Sequence, residues 1–200
     1  MKQSTVTRKD FEAQVLPLLP HLHRTALYVS GVAIEAKHLV TVTISRAYRS
    51  WHKYQVISDF RVWLFKTLTT VLVHKYGSVL GLSSPSARVA ALDLLSTYAQ
   101  SGWHAPVRDP RQLPVSAIAV EDVEKAITDL PDHLKLIVVL SLVEGFSYPQ
   151  IADIAGIAVA TVRARVYQGR TLIREALVDR VAGDGVFDMA AGGVRRRRMG

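Results

Sequence analysis

No cysteine occurs anywhere in the 200 residues. That absence excludes disulfides, thiolate nucleophiles and cysteine-ligated zinc. Long apolar runs are also missing: none approaches the ~18 residues of a membrane-spanning helix. The opening stretch MKQSTVTRKD is polar and lacks the apolar centre of a signal peptide, so a cytoplasmic protein without membrane insertion is expected. Sustained β-type alternation bounded by turn residues is nowhere found, which predicts an all-α fold. Catalytic signatures are absent as well. There is no glycine-rich phosphate loop, no nucleophile motif and no pair of carboxylates in an apolar setting. The seven histidines are scattered, and His21 and His23, two apart, fall on different faces of a helix, a poor metal pair. Neither an enzyme nor a metal or cofactor site is expected.

What is present is a folded composition, 49% hydrophobic, sized for one or two small domains. The formal net charge is +8, and it is unevenly placed. Residues 1–80 hold eleven lysines and arginines against four acidic residues, whereas residues 121–182 hold seven against nine. A basic front half suits a polyanionic partner. Arg195 to Arg198 make a basic tail within 183–200, expected to be disordered, as a solvated end or a nucleic-acid contact.

Helical patterning organises the chain. Thr7 is placed to cap a first helix, whose stripe runs to Gly31 and should be split by Pro17 and Pro20. From about Glu35, the residues Val40, Ile44, Ala47 and Trp51 form one buried face, leaving Arg46 and Arg49 outward. Ser58 is the expected cap of a further helix, with Phe60, Leu64, Leu68 and Val71 inward and Gly77 as its stop. Trp51, Phe60 and Trp63 have the helical spacing of core residues. Residues 81–119 are rich in Gly, Ser and Pro and read as a linker carrying one helix at 86–100. A second compact domain is expected over 120–182, with Pro131 opening a helix that Gly145 ends.

The stretch SYPQIADIAGIAVATVRARVYQGR, residues 147–170, spells a helix-turn-helix. Ser147 and Gln150 make a capping box, Phe146 and Ile151 a hydrophobic staple, and Pro149 lies in the first turn, where its missing amide costs nothing. Gly156 supplies the left-handed turn, and the next helix starts within about three residues. Val162, Val166, Gly169 and Ile173 then face inward, so Arg163, Tyr167 and Arg170 face outward with Arg165 flanking them. Arginines on such a face pair with phosphates or with guanine edges in the major groove. A solvated basic face is the alternative.

Two longer stretches resemble the extracytoplasmic-function sigma factors. Residues 130–177, beginning LPDHLKLIVVLSLVEGFSYPQ, are similar to their region 4, which reads the −35 promoter element. Residues 11–68, beginning FEAQVLPLLPHLHRTALYVSG, are similar to their region 2, which docks on core RNA polymerase and opens the −10 element. The resemblance implies two small helical domains joined by a linker. It implies that the helix from Val159 to Arg170 enters the −35 major groove, with Thr161, Arg163, Arg165, Tyr167 and Arg170 at DNA. Tyr54 would either stack a flipped −10 base or close the domain as a half-buried side chain, and Lys66 and Lys75 would add DNA contacts. Leu39, Val40, Thr43 and Arg46 keep the family's polymerase-docking pattern. Lys37, His38, Thr41 and Val42, however, stand where acidic and amide residues are usual, which removes charge complementarity to a basic clamp.

The function so implied is promoter recognition and transcription initiation as a subunit of RNA polymerase, with an anti-sigma factor as a further partner. Two alternatives stay open. One is a DNA-binding regulator whose first domain senses or dimerises. The other is a sigma-like decoy that forms no standard holoenzyme.

Overall fold

The computed structural model describes residues 8–51, 59–80, 82 and 119–183, and every regular element among them is helical. The expected caps Thr7 and Ser58, the linker helix at 86–100, Tyr54 and the arginine tail lie outside the described residues.

Pro17 and Pro20 divide the first helical stretch as their missing amides dictate. Helix α1 spans Arg8–Val15, a single 3-10 turn covers Leu16–Leu18, and α2 runs Leu19–Ser30, ended by Gly31 at φ 70°. Helix α3 spans Ala33–Ser50 and α4 Phe60–Tyr76. The α4 cap is Asp59, whose carboxylate accepts from the Val62 amide at 3.1 Å. Gly77 follows the last turn with φ −58°, so α4 ends in a backbone turn through Leu80 rather than by a left-handed glycine.

These four helices bury Leu22 and Ala26 from α2, Ala36, Leu39 and Ala47 from α3, and Leu64, Phe65, Leu68 and Leu72 from α4. An aromatic cluster closes one end. Phe11 meets Trp51 edge-on at 5.3 Å, and Trp51 meets Phe60 at 5.5 Å. Such pairs add ~0.5–1.5 kcal/mol beyond the area they bury, so this end of the bundle is held mainly by rings.

The second bundle contains α5 (Val120–Thr128), α6 (Asp132–Val138), α7 (Tyr148–Ala155) and α8 (Val159–Gly183). Pro131 stands just before α6, and a π-helical turn over Val139–Val143 continues it. Gly145, at φ 71°, then reverses the chain into α7. Ala126, Ile127, Leu134, Val138, Val139 and Ile173 form this bundle's own core.

The two bundles pack directly on each other. One apolar cluster contains Leu64, Phe65 and Leu68 of α4 together with Ile137, Leu140, Phe146, Ile151, Val162 and Val166 of the second bundle. At the seam, Phe65 and Phe146 stack edge to face with centroids 4.9 Å apart. Helix α4 therefore lies against the first helix of the helix-turn-helix.

Candidate nucleic-acid interface

Local sequence specifies where the first helix of the helix-turn-helix starts and where it turns. Ser147 donates its hydroxyl to Gln150 Oε1 at 2.9 Å and its backbone amide to the same oxygen at 2.9 Å. The Gln150 amide in turn donates to Ser147 Oγ at 3.4 Å, completing the reciprocal box. Pro149 occupies the first turn of α7, and Phe146 and Ile151 are buried in the shared cluster on either side of the cap. Gly156 adopts φ 67°, a conformation other residues resist, and donates its amide to the Ala152 carbonyl to end α7. Three residues later α8 begins.

Helix α8 sorts its faces as 3.6-residue periodicity requires. Val162 and Val166 are fully buried, and Gly169 presses on Val138 of α6 with no room for a Cβ. On the other side Arg163, Tyr167 and Arg170, at i, i+4 and i+7, form an exposed stripe, with Tyr167 38% exposed. Thr161 is half-buried in the first turn.

Arg165 departs from its expected place beside that stripe. It is 9% exposed, and its Nη1 donates to the Leu80 carbonyl at 3.4 Å. Burial pulls its guanidinium pKa down from the usual arginine value. Two residues from Arg163 on a helix means roughly 200° of rotation, so Arg165 turns inward while Arg163 stays at the surface. It is a bridge to the first bundle, not a phosphate contact, and the neighbouring half-buried His133 is held below its usual pKa by burial and by this charge.

The expected docking residues on α3 need a similar correction. Leu39, Val40 and Thr43 are 2%, 8% and 0% exposed, and the Thr43 hydroxyl donates to the Leu39 carbonyl at 2.8 Å. Their spacing is that of the core stripe, so they form the back of the helix rather than a surface. Arg46 is half-buried at its edge. The outward face carries Lys37, His38, Thr41, Ser45 and Arg49.

Lys66 and Lys75 are both at the surface and both paired. Lys66 Nζ donates to Asp153 Oδ1 of α7 at 2.6 Å, and Lys75 is ion-paired with Glu35 of α3. The hydrogen bond from Lys75, and then its charge, hold the Glu35 carboxyl below the usual carboxylate range against the opposing effect of burial. Both α4 lysines are therefore engaged in ion pairs with neighbouring helices.

Sequence reasoning missed the polar centre of the seam. Glu144 follows the π-helical turn, and its side chain is completely buried. Its carboxylate accepts from Arg24 Nη2 at 2.9 Å and from Arg61 Nη2 at 3.2 Å, and lies 2.8 Å from His21 Nδ1. Arg61 also donates to the Glu144 carbonyl at 2.6 Å and lies over the Phe146 ring at 4.3 Å. An exposed pair such as Lys66–Asp153 contributes ~0–1 kcal/mol, whereas stripping one partner from a buried charge cluster costs ~3–5 kcal/mol. Glu144 is the contact that decides. Its only sequence signal is an acidic residue wedged between Val143 and Gly145–Phe146 at the end of an apolar run; its partners lie over 80 residues away.

Comparison with known proteins matches residues 121–173 to the family described as Sigma-70, region 4. The ECF RNA polymerase sigma-E factor of Escherichia coli (strain K12) is 26% identical over 170 residues, covering 84% of this chain and 88% of that protein. The ECF RNA polymerase sigma factor SigE of Mycolicibacterium smegmatis is 28% identical over 156 residues, 78% of this chain and 57% of that one. Among solved structures, the sigma factor RpoE in complex with the anti-sigma factor NepR from Bartonella quintana has the same fold, with TM-score 0.59, 24% identity, and coverage of 85% of this chain and 98% of that one.

Proposed function

We infer that this chain, a sigma factor of the extracytoplasmic-function family, binds core RNA polymerase and directs it to promoters to begin transcription. One observation carries this reading: the exposed Arg163, Tyr167 and Arg170 stripe on a helix-turn-helix whose first helix is capped at both ends, inside the 53-residue span that matches sigma region 4. Arginines on a helix placed in the major groove reach guanine O6 and N7 or the flanking phosphates, and a tyrosine between them adds ring contact and a hydroxyl. We assign Arg163 and Tyr167 to bases of the −35 element and Arg170 to its backbone, with Thr161 at the entry of the helix.

The first domain, taken as residues 1–80, supplies polymerase docking through the outer face of α3 and acts on the −10 element through α4 and Tyr54. The second domain, residues 120–182, supplies −35 recognition. The chain has no reaction of its own; the polymerase does the chemistry. Among the described residues no helix is long and apolar enough to cross a membrane, which suits a cytoplasmic subunit. An anti-sigma factor is a further partner of the kind seen with the Bartonella quintana sigma factor. Run-off transcription tests the reading: core RNA polymerase with this chain should produce a transcript from a promoter selected by the chain, and core alone should not. Transcripts from the same DNA without dependence on the chain would refute it.

A further inference from the structure

We propose that the chain has a built-in off state, in which the two domains are latched shut by Glu144 and cannot span a promoter. The proposal rests on the sigma-factor reading and adds a regulatory contact within the chain itself.

The latch is assembled from both domains. The Glu144 carboxylate comes from the second, and its donors Arg24, Arg61 and Thr25, with His21 beside them, come from α2 and α4 of the first. The π-helical turn over Val139–Val143 sets its direction: the Glu144 amide donates to the Val139 carbonyl at 3.0 Å and the Phe146 amide to the Leu140 carbonyl at 3.0 Å. That extra residue in the turn brings Glu144 onto the α2–α4 side and sets Phe146 under Arg61 and beside Phe65. Around this centre lie three more contacts of the same seam. Lys66 meets Asp153, Gln150 Nε2 donates to Asp59 Oδ2 at 3.3 Å, and Arg165 reaches Leu80.

Geometry makes the latched state incompatible with promoter binding. Elements named −35 and −10 are about 25 base pairs apart, or ~85 Å along B-form DNA. Domains of this size are ~25–30 Å across, so two that share a core cannot place one surface at each element. The latch also covers the α4 face that would work at the −10 element and engages Lys66. The α8 stripe, in contrast, stays exposed, so the closed chain keeps −35 contact and loses simultaneous engagement. Residues 83–118 tether the two halves, and a chain of that length reaches ~120 Å when extended, so opening requires no unfolding of either domain.

The cysteine-free sequence makes the test clean. In the full chain, Leu27→Cys and Thr128→Cys, exposed positions lining one cleft between α2 and α5, are joined by a short bismaleimide, with the same variant capped by N-ethylmaleimide as control. The cross-linked chain should lose promoter-dependent run-off transcription by about tenfold or more, while binding to a −35 duplex alone is kept. Equal transcription by cross-linked and capped chains would overturn the latch. A second arm reads closure without polymerase: donor and acceptor dyes on Gln14→Cys and Glu175→Cys, both exposed positions, report the distance between domains. Glu144→Gln, which keeps shape and removes the charge, should shift the ensemble to longer distances; an unchanged distance distribution would refute the role of Glu144. If the parent chain fails to support transcription at all, the sigma-factor reading falls, and the dye distances still decide the latch.

Discussion

Gly169 of α8 packs so closely on Val138 of α6 that a Cβ built on it would overlap the valine Cγ2 methyl. Alanine in a helix is ordinarily favoured over glycine by ~1 kcal/mol. Here the overlap works against that gain, because a β-branched valine in a helix has one preferred rotamer and a fully buried one has nowhere to move. Overpacking a tight core costs ~1–3 kcal/mol. We predict that Gly169→Ala lowers stability in urea denaturation despite the better helix former, and raises it only if the α6–α8 contact is not formed.

Arg163 and Arg165 are two residues apart and should behave oppositely. Arg163→Ala is expected to weaken binding to the cognate −35 duplex by ~1–3 kcal/mol and to relax preference at one base pair. Arg165→Ala should leave base preference intact and loosen the seam with the first domain, since its guanidinium reaches Leu80 rather than solvent. Binding isotherms on a panel of single-base variants separate the two.

His133 links stability to pH. Burial first, then the Arg165 charge, holds its pKa below the ordinary histidine value, with Asp132 opposing. The unfolded chain thus takes up a proton that the folded chain resists. Stability from this group is fully present above about pH 6.5 and falls as the pH drops from there toward the folded pKa. Urea midpoints at pH 5.5 and 7.5 should differ less in His133→Gln than in the parent chain.

Lys37 and His38 are exposed on α3, where the resemblance places acidic and amide side chains. Lys37→Glu with His38→Asp should strengthen binding to core polymerase, because charge complementarity across an interface raises the association rate and lowers repulsion. A weaker complex would show that this surface has been re-specified for cationic contacts.

The caps and breaks of the fold were legible in the sequence because they are local. Ser147 with Gln150, Gly156, and the split at Pro17 and Pro20 each follow from residues within four positions of one another. The outward stripe of α8 was legible for the same reason. Three features were not. Arg165 has the same sequence credentials as Arg163 and is turned inward only by helical phase. Leu39, Val40 and Thr43 match a family docking pattern whose periodicity is equally that of a buried face. Glu144 takes its meaning from Arg24 and Arg61, and nothing in a linear pattern couples positions 120 and 83 residues apart.

As a polymerase specificity subunit, the chain should associate with purified bacterial core RNA polymerase, which gel filtration at moderate salt measures. Co-elution of the folded chain with core at one-to-one ratio is the predicted result. Separate elution of folded chain and active core from the same organism would contradict the account and leave a DNA-binding regulator that kept the fold without its main partner.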